Sequence, residues 1–271
     1  MRLLVRHQTA YRYDAPIAAA IQTLRMAPRS YDGMTVLNWR VWSDTRRELP
    51  VFADGYGNLT HTHAINHLHD SAAVFVEGEV ETTPTHGVVR GTIEPLPPLF
   101  FLRRTALTEP DAAIESLARG AAAQGAILKQ LHALLNAVRD KVDYRPGATD
   151  SATPAAAALA AGAGVCQDHA HIFIAAARMI GIPARYVGGY LWTSDDAREY
   201  QATHAWAEAF VHDLGWVGFD PSNRICPTEA YIRTSVGLDY ASAAPVRGVR
   251  RGTAAETLAV KVKITQAGGD Q

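Results

Sequence analysis

The hydrophobic pattern changes period part-way along the chain, and that change restricts the fold to an α+β class with segregated strands and helices. Through residue 95 the apolar residues follow a partial two-residue repeat. "RLLVRHQTAYRY", "TVLNWRVWSD", "NLTHTHAIN" and "AAVFVEGEVETT" are rich in β-branched and aromatic residues, separated by Asp-Gly, Gly-Asn and proline-containing stretches. An N-terminal antiparallel β domain is expected. The proline-rich "EPLPPLFFLRRTALTEPD" has no clear period and reads as a linker. Helical signals follow. "TEPDAAIESLARGAA" offers Thr108 as a cap with a proline in the first turn, and Ile127, Leu128, Leu131, Leu134, Leu135 and Val138 fall on one face of a second helix. The alanine-rich "ATPAAAALAAGAG" reads as helix plus loop. From Cys166 to Ile180, the residues Phe173, Ala176, Ala177 and Ile180 share a side, with Gly181 placed to stop the helix. "ARYVGGYLW", "THAWAEAFVH", "GWVGFD" and "TLAVKVKITQ" then alternate well enough to form one antiparallel sheet. The expected division is 1–98 and 99–271.

A chain of 271 residues, 48% hydrophobic and 20% charged, is long enough for two domains of ordinary size. Lys and Arg number 26 against 27 Asp and Glu, so no electrostatic footprint argues for nucleic acid or an anionic membrane. A small molecule or peptide is the expected partner. The start of the chain lacks the apolar run of a signal peptide, and no stretch approaches the length of a membrane span. Two cysteines, Cys166 and Cys226, are too few for a disulfide framework and suit a thiol enzyme in a reducing compartment, so a cytoplasmic location is expected. No EF-hand spacing, P-loop or dinucleotide fingerprint is present, and no cofactor is expected.

The chemistry-bearing stretch is "GAGVCQDHAH", residues 162–171. With a helix beginning near Cys166, the thiol sits on a first turn, where unpaired N–H groups and the helix dipole favour a thiolate. Gly162 and Gly164 leave the approach uncrowded, and the Cys166 N–H is placed to help hold an oxyanion. Taken alone, such a cysteine is more often a small buried hydrophobe. A nucleophilic thiol also needs a proton carrier and a group that orients it. His204 in "THAWAE" and Asp220 in "GWVGFDPSN" can fill those roles from neighbouring strands. Direct opposition of the two across a hairpin requires a loop centred on His212, whereas turn chemistry favours Asp213-Leu214-Gly215. The expectation is therefore a His212-centred loop or a bulge in one strand.

Other readings compete. Cys166, His169 and His204 can supply three zinc ligands, although no second close pair of Cys or His residues supports them. "THTHAINHLHD" puts His61, His63, His67 and His69 on one strand face with Ile65, expected to be a solvated face of the N-terminal sheet. Asp168 either orients a substrate amine or favours the helix N-terminus. His171 is expected to be a hydrogen-bonded structural histidine, Arg185 a member of an ion pair, and Cys226 a packing residue. Trp206 and Trp216 either shield the His–Asp pair or pack in the core.

"GVCQDHAHIFIAAARMIGIPARYVGGYL", followed by "THAWAEAFV" and "GWVGFDPSN", resembles the bacterial branch of the transglutaminase-like superfamily. The upstream "DYRPGATDSATPAAAALAAGAG" fits as well, and "HQTAYRYDAPI" with "LRMAPR" looks like the β domain that often precedes this core. The resemblance implies a papain-like core, its nucleophile at a helix N-terminus packed on an antiparallel sheet. It assigns Cys166 as nucleophile, His204 as base and Asp220 as orienting carboxylate, with no metal. It also implies that an upstream aromatic residue, Tyr144, borders the oxyanion site. The residue after "CQD" is commonly aromatic in these proteins and is His169 here. The implied activity is cysteine-dependent acyl transfer, with hydrolysis of a peptide or isopeptide bond favoured over transfer to an amine as in a protein-glutamine transglutaminase. The substrate is then a peptide or protein amide. A metal-dependent amidohydrolase and a non-catalytic binding module are the readings from other classes.

Overall fold

The computed structural model describes residues 1–45, 48–193 and 203–267. The chain opens on β1 (Arg2–Ile17), in which Leu3, Val5, Tyr11 and Tyr13 face inward between exposed or half-buried neighbours. β2 (Ala19–Ala27), β3 (Met34–Ser43), β4 (Val51–Ala53), β5 (Leu59–Ile65), β6 (His69–Thr82) and β7 (Val88–Val89) follow. The proline-rich segment is docked rather than free: Phe101 is buried with its ring edge-on to Trp216. α1 (Ala112–Ala122) is capped by Asp111, whose carboxylate accepts from the N–H groups of Ala113 and Ile114. Thr108 instead bonds Thr105 in a separate turn, because Pro110 keeps Glu109 extended and delays the helix start. α2 (Ile127–Lys141) buries Leu131, Leu134, Leu135 and Val138, while Ile127 in its first turn stays exposed.

β8 (Asp143–Tyr144), α3 (Ala155–Ala161) and β9 (Ala163–Gly164) lead into α4 (Cys166–Met179). Every residue of α4 from Asp168 to Arg178 is buried, so this is a central helix rather than the one-sided element its apolar spacing suggests. It ends at Gly181, whose φ of 78° is the left-handed conformation that glycine adopts without strain. β10 (Ala184–Leu191), β11 (His204–Val211), β12 (Gly215–Phe219), β13 (Tyr231–Gly237), α5 (Tyr240–Ala243), β14 (Val246–Arg251) and β15 (Glu256–Gln266) complete the chain. Among the described residues no helix is long and apolar enough to cross a membrane.

Two antiparallel sheets, ordered β15-β1-β6-β3 and β14-β2-β5-β4, pack face to face. Val74, Val76 and Val41 of one meet Leu24 and Met26 of the other. A third antiparallel sheet, β13-β10-β11-β12-β7, carries α4 on one face. There Ala205, Ala207 and Ala209 of β11 are small enough to admit the helix, and Phe173 stacks on Phe219 at 5.3 Å between ring centroids. α1, α2 and α3 cover the remaining sides of α4.

Two expectations are corrected here. "TLAVKVKITQ" does not join the β10–β13 sheet; as β15 it pairs with β1, with Ile264 opposite Val5 and Val262 opposite His7. Its apolar residues alternate with lysines, which suits an edge position with one covered face. Residues 246–266, which a cut at 98/99 assigns to the second half, thus complete the N-terminal sheets, while β7 pairs with β12. The histidine-rich run is not one strand face either, because the chain leaves β5 after Ile65 and re-enters pairing at His69. His63 is buried rather than solvated and bonds Gln22 at 3.0 Å.

Candidate active site

Cys166 is the first residue of α4, after an extended Val165. The helix start is fixed by Asp168, whose Oδ2 accepts from the Val165 N–H at 2.7 Å and from Thr149 Oγ1 at 2.6 Å. Asp168 is fully buried, which raises its pKa. The bonds to Val165 and Thr149 place Asp168 at the helix start, and it is not among the described residues that line the cleft. Gly164 is required beside it, since a Cβ there would lie 2.7 Å from the Asp168 carboxylate. Parallel pairing sets Tyr144 next to Gly164. This brings the phenol of Tyr144, which is 47% exposed, to the wall of the cleft that Cys166 also lines. The Tyr144 pKa is raised by partial burial and by the charges of Cys166 and Asp220.

The β11–β12 ladder pairs Ala207 with Phe219 and Val211 with Gly215 without a register shift, which centres the turn on Asp213. Neither a His212-centred loop nor a bulge in this pair is present. Asp220 instead falls diagonally from His204. A two-residue offset keeps both side chains on one face, and the imidazole is long enough to span it. His204 Nε2 lies 2.7 Å from Asp220 Oδ2, which leaves Nδ1 as the other ring nitrogen, and His204 lines the same cleft as Cys166, which is near enough to raise its pKa.

Asp220 is fully buried and closes a turn over "DPSN". Its Oδ1 accepts from the N–H groups of Ser222 (3.0 Å) and Asn223 (3.3 Å). Its Oδ2 also accepts from Asn223 Nδ2 and the Tyr231 hydroxyl, each at 2.7 Å. Burial would raise the Asp220 pKa, but His204, Asn223 and Tyr231 hold it below the ordinary carboxylate value. Burial would lower that of His204, yet the hydrogen bonds and charges of Asp220 and Cys166 prevail and lift it to about 10. The cleft encloses about 830 Å³, with Tyr144, Gln167, Tyr190, Ser222, Asn223 and Tyr240 among its walls.

A family model of the transglutaminase-like superfamily matches residues 115–221, and one of the bacterial transglutaminase-like N-terminal region matches residues 3–81. An uncharacterized protein of Mycobacterium leprae is 32% identical over 277 residues, covering 98% of this chain and 99% of its own. The chain belongs to the transglutaminase-like superfamily. An uncharacterized protein of Mycobacterium tuberculosis is 28% identical over 92% of this chain and 87% of its own. In fold, the chain is similar to a candidate cysteine protease from Cytophaga hutchinsonii. That match has a TM-score of 0.77 and 20% identity, and it covers 100% of this chain and 92% of the other.

Within this transglutaminase-like core the other singled-out residues find their places. His171 is buried and accepts the Tyr240 N–H at 3.0 Å, and burial lowers its pKa to about 4. His169 Nδ1 is 2.8 Å from Ser222 Oγ. With that bond on His169 and Asp220 on His204, the zinc trio is not assembled. Among the described residues no group of three His, Cys, Asp or Glu is placed to hold a metal ion. Trp206 stacks beside His204, with ring centroids 6.2 Å apart, and shields it. Trp216 is core, packed on Phe101 with the Arg185 guanidinium 3.9 Å above its ring. Arg185 bonds Glu94 at 2.6 Å and Glu208 at 2.7 Å, and Arg233 joins Glu208 at 2.8 Å. Burial disfavours the Glu208 charge, but the two arginines hold its pKa down at about 2. Cys226 lies half-buried against Gly87, and burial raises its thiol pKa. The sequence reading missed Ser222, Asn223 and Tyr231. The Asp-Pro-Ser-Asn turn signature pointed to the first two, and nothing local pointed to Tyr231.

Proposed function

We propose that the protein is a cysteine-dependent acyl-transfer enzyme of the peptidase or amidase type, acting on a peptide or isopeptide bond. The observation that carries this reading is the placement of Cys166 and His204 on the wall of one cleft of about 830 Å³, with His204 held 2.7 Å from the buried Asp220. In this reading the Cys166 thiol gives its proton to His204 and its sulfur attacks the amide carbonyl carbon. The resulting oxyanion is held by the Cys166 N–H at the start of α4 and a further donor at the cleft wall, for which Tyr144 is positioned. Collapse breaks the C–N bond, and the His204 imidazolium protonates the departing amine. Water then attacks the thioester as His204 takes its proton, and the acid leaves with the thiol restored. Asp220 keeps Nε2 engaged throughout, fixing the ring orientation.

Iodoacetamide labelling at graded pH, followed by mapping, tests the first step. The expected result is rapid modification of Cys166 well below the pH at which a free thiol reacts, lost on unfolding, with Cys226 slow. Equal and slow reaction at both cysteines overturns the reading. Turnover of a peptide amide pool by the wild type, abolished in Cys166→Ala, tests the rest. Adding a primary amine and scoring hydrolysed against amine-linked product distinguishes water from an amine as acceptor.

A further inference from the structure

His169 is a buried polar group beside Cys166 that the proposed chemistry leaves unused. It stands three residues beyond Cys166 on α4 and so shares that side of the helix. Its Nδ1 is 2.8 Å from Ser222 Oγ. Ser222 donates its N–H to Asp220 Oδ1 at 3.0 Å, Asp220 Oδ2 bonds His204 Nε2 at 2.7 Å, and His204 lines the cleft together with Cys166. The circuit thus leaves α4 at His169, crosses the turn after β12 and ends at the first residue of β11, His204, on the cleft wall that Cys166 shares.

We propose that His169 is a positioning residue. By holding Ser222, it ties the Asp220–Asn223 turn to the nucleophile's own helix and so sets the separation of Cys166 from the His204 that Asp220 orients. The proposal rests on the thiol reading of the site. Its physical basis is that three elements meet here: Cys166 from a helix, His204 from one strand and Asp220 from a turn after another. Each hydrogen bond in the circuit fixes one of these elements against the next. Reactivity depends steeply on such separations, because small misplacements of reacting groups cost large factors in rate. Burial holds the His169 pKa down at about 4, with the Arg139 charge adding to the effect, so its ring stays neutral and its bond to Ser222 persists through neutral pH. An aromatic ring at this position fills the same space without making that bond.

The test uses His169→Phe, which keeps bulk and loses the bond, Ser222→Ala, which loses it from the other side, the double variant, and His169→Asn, whose amide can still reach Ser222. Four quantities are read: kcat, KM, the alkaline limb of kcat/KM, and the pH profile of Cys166 alkylation. His169→Phe and Ser222→Ala are each expected to lower kcat about tenfold, the scale of one lost hydrogen bond. KM should stay within about twofold, since only positioning is disturbed, and the alkaline limb should move to lower pH. The double variant should be no worse than either single one, because both cut the same link, and His169→Asn should recover most of kcat. Additive losses, or full kcat with an unmoved limb in the single variants, overturn the proposal. If His169→Phe does not fold, Ser222→Ala at the half-exposed turn carries the test. Alkylation needs no substrate and separates the two readings. Slow, flat labelling of Cys166 in the wild type brings down the thiol reading and this proposal with it. Fast wild-type labelling that the variants leave unchanged brings down the positioning role alone.

Discussion

Five donors converge on the Asp220 carboxylate: two backbone N–H groups, the Asn223 amide, the Tyr231 hydroxyl and the His204 ring. Such a carboxylate is buried without being left unpaired, which is what permits it to keep its charge beside a histidine. Tyr231→Phe removes one donor to a charged acceptor and is expected to cost about 1.5–3 kcal/mol in chemical denaturation. kcat should fall with it as His204 loses part of its anchor. The pH dependence follows from the two shifted groups. His204 has its folded pKa raised from 6.5 to about 10. Its contribution to stability is complete below pH 6.5 and is lost as pH rises through 10. Asp220 is shifted down from 3.8, so its contribution is complete above that pH and is lost as pH falls through its lower folded value. Thermal melts across pH should therefore show an alkaline loss of stability. That loss should begin at lower pH in Cys166→Ala, where one of the groups raising the His204 pKa is gone.

At the scale of elements, α4 organises the core, being buried along its length and bearing Cys166 at its first residue. Phe173→Ala removes the ring stacked on Phe219 and is expected to cost about 3–5 kcal/mol, read as a drop in melting temperature. Gly164→Ala acts at the helix start. The added methyl meets the Asp168 carboxylate at 2.7–2.9 Å, displacing the bonds to Val165 and Thr149. A loss of about 0.5–2 kcal/mol is expected, the range for a broken cap, together with slower Cys166 alkylation. An unchanged alkylation rate in a folded Gly164→Ala protein contradicts the view that this cap sets the position of the Cys166 thiol. The helix was readable locally because neighbours in sequence specify it, through the glycine stop and the acid in the first turn; the Asp-Pro-Ser-Asn turn carries a local signal too, but one that the strand reading of "GWVGFDPSN" passed over. The cap of α1 was misread at Thr108 because the restriction that proline places on the residue before it outweighed the hydroxyl signal.

At the scale of the whole molecule, the chain ends by returning to where it began. β14 and β15 close the two N-terminal sheets against β2 and β1. A protein truncated after residue 245 loses both strands and the buried Val262 and Ile264, leaving two long strand edges bare. It is expected to aggregate and to lose its cooperative melt, as measured by size-exclusion chromatography and calorimetry. A monodisperse, folded product is the contrary result. The alternation of β15 was visible in the sequence, but its partner was not, since any open sheet edge satisfies the same alternation and only packing selects β1. The same distinction holds at the site. By itself, the sequence determined the strand-then-helix order, the helix that begins at Cys166 and the ordered Cys, His and Asp motifs, because each is encoded within a few residues. Only the tertiary structure decided the diagonal reach of His204 to Asp220, the Tyr231 donor and the link from His169 to Ser222. These depend on how separate elements stack, and hydrophobic period carries no record of that.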